Sequence, residues 1–156
     1  MKLPMKFITQ TIPITVAGIS IRTSNAKAFE EIPLHWKTFF EKEILSTIPE
    51  KINDDIYAVY TEYDRIPQSA DDIYSLGYTF IIGAAVNRAD RLPSTLVSTI
   101  VPATKRAVFP IEPGNPELVG AAWQKIWQMQ DLLRAFAPDY EHYSVNGDID
   151  ILVSLS

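Results

Sequence analysis

One acidic residue, Glu141, stands among aromatic residues in a segment, 140–144, that predicts a β-strand. Because side chains alternate between the faces of a strand, Glu141 and Tyr143 are expected to share one face. A carboxylate buried among aromatic rings loses hydration, which raises its pKa. A bound cation would favour the ionised form again, and each ring would attract that cation by about 0.5 to 2 kcal/mol. By composition alone, however, Glu141 is one of nineteen acidic residues, and an edge strand that turns it toward solvent is favoured.

The overall composition excludes several other kinds of site. The chain has no Cys, which removes thiolate catalysis, disulfides and Cys-ligated metal centres. His35 and His142 show no metal-ligand spacing, so neither a metal nor a cofactor is expected. No phosphate loop, nucleophile elbow or recognisable triad appears, and the sequence assigns no catalytic residue.

Charge and hydropathy exclude two classes of partner. A net charge of −5 without a dense cluster of Lys and Arg argues against direct nucleic-acid binding. No apolar run reaches the roughly 20 residues that span a bilayer, so no membrane contact is predicted. A cytoplasmic location is the expectation.

The elements that would position Glu141 alternate between strands and helices. Hydrophobic alternation predicts a strand over 12–21. An apolar sector that includes Trp36, Phe39 and Phe40 predicts an amphipathic helix over about 26–45. Segments rich in β-formers predict two further strands, 56–63 and 74–83. The predicted order in the first half is therefore strand, helix, strand, strand.

The second half repeats this order. A strand is predicted over 96–109, with Pro102 at an edge or bulge. A helix from 117 to about 136 carries Trp123 and Trp127 one turn apart. An Asn-Gly turn then predicts a closing hairpin, whose strands are 140–144 and 149–155.

This order predicts an α+β fold in a single domain over residues 1–156. Duplicated β-α-β-β units would form a mostly antiparallel sheet with two helices on one face and a central groove between them. The pseudo-repeats are expected at about 10–86 and 95–156. A ligand would fit in the groove.

Several short motifs follow one another in an order that is typical of one family. They are Gly18, Arg22 and Asn25; Leu34-His35-Trp36 through Phe39; and the segments 57–64 (YAVYTEYD), 74–78 (YSLGY), 107–109 (AVF), 123–127 (WQKIW) and 139–143 (DYEHY). Together they resemble the GyrI-like effector-binding domains, which also form the C-terminal modules of AraC- and MerR-type multidrug-responsive regulators. The resemblance covers nearly the entire chain. Stand-alone members of this family resemble integron cassette proteins that bind cationic drugs.

The resemblance implies a ligand site. In that family a Glu within a Glu-x-Tyr pattern on the penultimate strand lies in the ligand cavity, and here the pattern falls on Glu141 and Tyr143. Glu141 would then anchor a lipophilic, cationic small molecule, in transcriptional regulation or in drug response. We expect the ligand to contact Glu141, Tyr143, Trp36, Phe39, Phe40, Tyr60, Tyr78, Trp123 and Trp127.

Two other functions stay open. Some GyrI-like relatives are hydrolases of reactive electrophilic small molecules, in which a cavity Glu directs water. Others bind proteins, and gyrase inhibition gave the family its name. Glu43 and Glu62 are further candidate acids near the groove, although each could also reach solvent. About ten residues precede the first predicted strand, and they show no helical period, so we expect an effector module without a helix-turn-helix. Such a module is expected to form a homodimer or to work with a separate regulator protein.

Overall fold

The computed structural model describes residues 3–156, so Met1 and Lys2 of the predicted domain lie outside the described residues. Within residues 3–156 the strands are β1 (Lys6–Thr9), β2 (Ile14–Ser24), β3 (Ile56–Thr61), β4 (Gly77–Ala85), β5 (Val97–Val101), β6 (Lys105–Ile111), β7 (Asp139–Tyr143) and β8 (Ile149–Ser154). The helices in the same range are α1 (Ala28–Glu41), α2 (Ile44–Thr47), α3 (Ala70–Tyr74) and α4 (Leu118–Trp127). No helix in this described part is long and apolar enough to cross a membrane.

The strands form one antiparallel sheet in the order β1-β6-β8-β7-β3-β4-β2-β5. Strand side chains alternate in direction. Ala58 and Tyr60 of β3 therefore face α1 and α4, and they belong to the core that also contains Phe39 and Ile126 of those helices. Val59 lies on the opposite face, in a second apolar cluster. The predicted α+β class, with its two longer helices on one face of an antiparallel sheet, is confirmed.

The strand order is the same on either side of the central β3–β7 pair. One side has the order β6-β8-β7, and the other has β2-β4-β3. In each set of three strands, the strand that comes last in the sequence lies between the other two in the sheet. A duplicated unit would produce this order, and the duplication over about 10–86 and 95–156 stays a prediction.

Two short links bring the edges of the sheet together. Strand β1 lies at one edge and β2 lies next to the other, yet residues 10–13 alone connect them. Residues 102–104 make the same crossing between β5 and β6. Since one residue spans at most about 3.6 Å, the edges must be close. The backbone N–H of Gln10 donates to the carbonyl oxygen of Thr104 at 2.9 Å. The sheet therefore curls around the face that carries no long helix.

Arg106 occupies the interior of this curl with no solvent exposure. Its Nε donates to Oε1 of Gln10 at 2.6 Å. Its two Nη atoms donate to the carbonyl oxygens of Pro138 and Pro102, each at 2.9 Å. The guanidinium carbon also lies 5.0 Å from the centroid of the Tyr140 ring. One buried side chain thus joins both edge links to the segment that leads into β7.

The second long helix is shorter than predicted. It ends at Trp127, and the predicted continuation to about 136 is wrong. The chain turns instead to meet the end of β8, where the N–H of Ala135 donates to the carbonyl oxygen of Ser154 at 3.0 Å. Leu133 is consequently 69% exposed. Hydrogen bonds to a distant strand outweigh the local helical periodicity here.

Three smaller differences also have local causes. The first helix stops at Glu41, because Glu43 adopts a left-handed conformation (φ 51°) before α2 begins. The strand predicted over 96–109 is two strands, with Pro102 in the link between them. Strand β1 was not predicted, since its residues show no clear alternation.

Replacement of Gly83 by Ala should destabilise the fold strongly. Gly83 faces Gly18 across the β2–β4 pair, and a Cβ atom on Gly83 would lie 1.8 Å from the carbonyl oxygen of Ala17. The backbones of β2 and β4 must therefore separate. We expect this to lower the free energy of unfolding by about 1–3 kcal/mol or more. Urea unfolding measures the change. The matched control is Gly120→Ala in α4, where the new Cβ makes an ordinary 3.4 Å contact, and an equal loss in both variants would contradict the steric explanation.

Candidate functional site

A cavity of about 330 Å³ lies between α1, α4 and the helix-bearing face of the sheet. Its size is in the range of small-molecule sites, and its walls are mainly aromatic and aliphatic. Seven of the nine residues predicted to contact a ligand line it: Trp36, Tyr60, Tyr78, Trp123, Trp127, Glu141 and Tyr143.

Two acidic residues line this cavity: Glu117, which is exposed, and Glu141, which is buried at 1% exposure. The Oε2 of Glu141 accepts hydrogen bonds from the Tyr60 hydroxyl at 2.5 Å and from the Trp123 Nε1–H at 2.7 Å. Its Oε1 accepts a hydrogen bond from the Tyr143 hydroxyl at 2.5 Å. Each donor is an uncharged group, so these hydrogen bonds solvate the carboxylate without a countercharge.

The three hydrogen-bond donors lie on β7, β3 and α4, and the regular spacing of side chains along strands and helices directs them toward Glu141. Glu141 and Tyr143 are two residues apart on β7 and therefore share a face, as predicted. Tyr60 comes from the adjacent strand β3. Trp123 lies on the buried stripe of α4 together with Val119, at a spacing of four residues.

Burial dominates the protonation of the site. It raises the pKa of the Glu141 carboxyl, and the three hydrogen bonds lower that pKa by less. Burial and the nearby Glu141 charge also raise the pKa of the Tyr60, Tyr78 and Tyr143 hydroxyls. These tyrosines therefore keep their hydroxyl protons at neutral pH, and Tyr60 and Tyr143 donate theirs to Glu141.

Phe39 and Phe40 do not line the cavity, although both were predicted to contact the ligand. The α1 residues that line the cavity lie between Ala28 and Trp36, and Phe39 and Phe40 lie about one turn beyond Trp36 along the helix. Phe39 is 1% exposed and packs in the core toward the sheet. Phe40 is 60% exposed and stacks on the Trp36 ring at 5.9 Å. These two residues support Trp36 from outside the cavity.

The two further candidate acids also lie outside the cavity. Glu43 and Glu62 are exposed, and each has a left-handed backbone, with φ of 51° and 52°. At Glu62 this conformation reverses the alternation that follows β3, so Tyr63 lines the cavity instead. The sequence could not signal this, because glutamate has no preference for positive φ.

A second polar cluster borders the same cavity and was missed by the sequence analysis. Asp139 has no solvent exposure and shares the face of Glu141 on β7. Its Oδ2 accepts hydrogen bonds from the Tyr63 hydroxyl at 2.5 Å and from Nη2 of Arg134 at 3.0 Å. Its Oδ1 accepts from the N–H and hydroxyl of Ser154, at 2.6 and 2.9 Å. Asp139 thus has a cationic partner, which Glu141 lacks among the described residues.

The chain matches the family described as integron-associated effector binding proteins over residues 8–155. It belongs to this family. The resemblance predicted from the sequence motifs is thereby confirmed. The chain is also 31% identical over 143 residues to YobU of Bacillus subtilis strain 168, a candidate transcriptional regulator, and this match covers 85% of the chain and 82% of YobU.

Solved structures share the fold of this family member. An integron cassette protein from the mobile metagenome of Vibrio cholerae superimposes with a TM-score of 0.72 at 21% identity, over 97% of this chain and 95% of that one. The structure of SAV2435 bound to tetraphenylphosphonium gives a TM-score of 0.71 at 15% identity, over 100% of this chain and 94% of that one. The eight-stranded sheet with its helices is therefore a recurring architecture.

Replacement of Glu141 by Gln should change how stability depends on pH. The folded state raises the pKa of Glu141, so the stabilisation from its bound proton is complete below the unfolded-state value of about 4.3 and is lost as pH rises through the folded value. We therefore expect Glu141→Gln to gain stability relative to the unmodified protein between pH 4 and 7. Urea unfolding across that range measures the difference in free energy of unfolding between the two proteins. The other carboxyl groups are present in both proteins, so their contributions to this difference cancel.

The matched control is Glu43→Gln, which changes an exposed carboxyl outside the cavity. Because Glu43 is exposed, this variant reports the effect of a Glu-to-Gln change outside the buried site. An equal pH profile for the two variants would show that burial does not raise the pKa of Glu141.

Proposed function

We propose that this protein binds lipophilic cations reversibly in the aromatic cavity, with Glu141 as the charged anchor. The observation that carries the proposal is the set of partners of Glu141. Its 1% exposed carboxylate accepts three hydrogen bonds from neutral groups and has no cationic partner among residues 3–156. A negative charge in such a place favours a positively charged occupant.

The cavity wall suits a cation with apolar substituents. The rings of Tyr60 and Trp123, whose centroids are 5.0 Å apart, surround the carboxylate. Ring faces attract cations, and the attraction strengthens where water is excluded. Apolar groups of the ligand would add about 25 cal/mol for each Å² removed from water. Charge attraction with loose shape matching would permit several related ligands.

The comparisons support an effector role. The family is described as effector binding, and a protein of the same fold was solved with tetraphenylphosphonium, a lipophilic cation. The relative YobU is a candidate transcriptional regulator. We propose that ligand occupancy of this cavity acts in transcriptional regulation or in a drug response, through a second copy of the chain or a separate regulator protein.

Tetraphenylphosphonium should bind and quench the fluorescence of the tryptophans that line the cavity. An ion pair at about 5 Å with an effective dielectric constant of 20 contributes roughly 3 kcal/mol. We therefore expect Glu141→Gln to weaken binding ten- to hundredfold. Titration of the fluorescence, with calorimetry as a second method, measures the dissociation constant.

Two controls separate charge from shape. Glu43→Gln should bind tetraphenylphosphonium with unchanged affinity, because Glu43 is exposed outside the cavity. Tetraphenylborate has the same shape and the opposite charge, so it should not bind the unmodified protein. Equal affinity for both ions, or unchanged affinity in Glu141→Gln, would refute the proposal.

The affinity for tetraphenylphosphonium should fall as the pH is lowered. This ligand carries a permanent charge, so any change of affinity with pH must come from ionisable groups of the protein. Burial raises the pKa of Glu141, and the loss of affinity should begin at a higher pH than an ordinary glutamate would give. The dissociation constant measured between pH 4 and 8 checks this, and Glu141→Gln should show no such dependence. A flat profile in the unmodified protein would argue against Glu141 as the anchor.

A further inference from the structure

Glu117 is a second acidic residue of the cavity, and the cation anchor proposed above makes no use of it. It is the N-cap residue of α4, it is exposed, and its side chain does not cap the helix. The remaining charged residue of the cavity wall, Arg134, is paired with Asp139. Within residues 3–156 neither Glu117 nor Glu141 forms an ion pair. The cavity therefore has two acids without a countercharge, one buried and one at its exposed mouth.

Helix α4 separates these two acids along the cavity wall. Glu141 accepts a hydrogen bond from Nε1 of Trp123 at 2.7 Å, and Trp123 lies six residues after Glu117. At a rise of 1.5 Å per residue, the Cα atoms of Glu117 and Trp123 are about 9 Å apart along the helix axis. With the length of the side chains included, the two carboxylates are roughly 8–14 Å apart. A single positive charge therefore cannot contact both acids.

The wall that joins the two acids is apolar and has small side chains on α4. Glu117, Gly120 and Ala121 follow the spacing i, i+3 and i+4, so they share one side of the helix, and all three line the cavity. The ring of Phe29 on α1 faces this side, since a Cβ atom on Gly120 would lie 3.4 Å from Phe29 Cε1. Phe29 lines the cavity and is 56% exposed, which places this stretch at the mouth. An aliphatic chain that runs from Glu141 toward Glu117 would cross apolar surface.

We propose that the preferred ligands of this cavity are elongated dications. One cationic group binds beside Glu141, an apolar spacer follows α4, and the second cationic group binds Glu117 at the mouth. This inference rests on the proposed function, since the first group occupies the site proposed above. The second group keeps most of its water beside the exposed Glu117, so this pair forms without a large desolvation penalty. An exposed ion pair of this kind increases affinity about two- to fivefold.

The test uses pairs of ligands that differ only in the second charge. Each ligand is a triphenylphosphonium ion with an alkyl chain, which ends either in a trimethylammonium group or in the uncharged tert-butyl group of the same shape. Chains of about two to twelve methylene groups include lengths too short to reach from one acid to the other. At each chain length, the ratio of the two dissociation constants isolates the contribution of the second charge. Tryptophan fluorescence and calorimetry measure both constants.

Glu117→Gln should lower the preference for the dication about two- to fivefold, and only for chains long enough to reach Glu117. The shortest chains should give the same ratio in this variant and in the unmodified protein. The matched control is Glu112→Gln, which removes an exposed carboxylate that does not line the cavity. This control should leave the ratio unchanged at every chain length. Both variants change exposed side chains, and circular dichroism checks that each is folded.

The outcomes separate this inference from the proposed function. An unchanged ratio in Glu117→Gln, an equal loss in Glu112→Gln, or a loss that does not vary with chain length overturns the role of Glu117. The tert-butyl compounds test the proposed function independently, because each carries only the phosphonium charge and should bind more weakly to Glu141→Gln. Failure of all the phosphonium compounds to bind overturns both.

Discussion

A buried carboxylate must keep its hydrogen bonds, and the architecture around Glu141 follows from this requirement. Its three donors come from β7 itself, from α4 and from β3, at 2, 18 and 81 residues from Glu141 in the chain. The strands must therefore be in register and the helix must dock at a defined height for all three bonds to form. Because every donor is neutral, the folded protein satisfies the hydrogen-bonding geometry of the carboxylate without supplying a countercharge.

Two acids on one face of β7 have opposite electrostatic roles. Asp139 and Glu141 are two residues apart, and both are buried. Asp139 forms an ion pair with Arg134 and accepts a hydrogen bond from Ser154. This pair is structural, because it joins the segment after α4 to β8. Glu141 has no such partner in the described chain. The difference arises from one cation, which the chain places beside Asp139 by leaving the helix at Trp127.

On the opposite face of the sheet, Arg106 links three separate segments of the chain. Arg106 uses its three kinds of N–H donor on Gln10, Pro102 and Pro138, and the curled sheet excludes it from water. Pro138 immediately precedes β7, which carries both cavity acids. Closure of the sheet on one face thereby restrains the strand that presents the acids on the other.

The sequence by itself determined the two longer helices and most of the strands, though not all of their ends, together with the antiparallel α+β class and the shared face of Glu141 and Tyr143, since these depend on local periodicity. Only the tertiary structure decided which aromatic residues line the cavity. Phe39 and Phe40 lie one turn beyond the last α1 residue of the cavity, and the left-handed conformation of Glu62 brought Tyr63 in. The position of Arg134 likewise depends on pairing with β8, across more than ten residues of chain. Such long-range hydrogen bonds leave no periodic trace in the sequence, so the charge balance at the cavity could be known only from the folded chain.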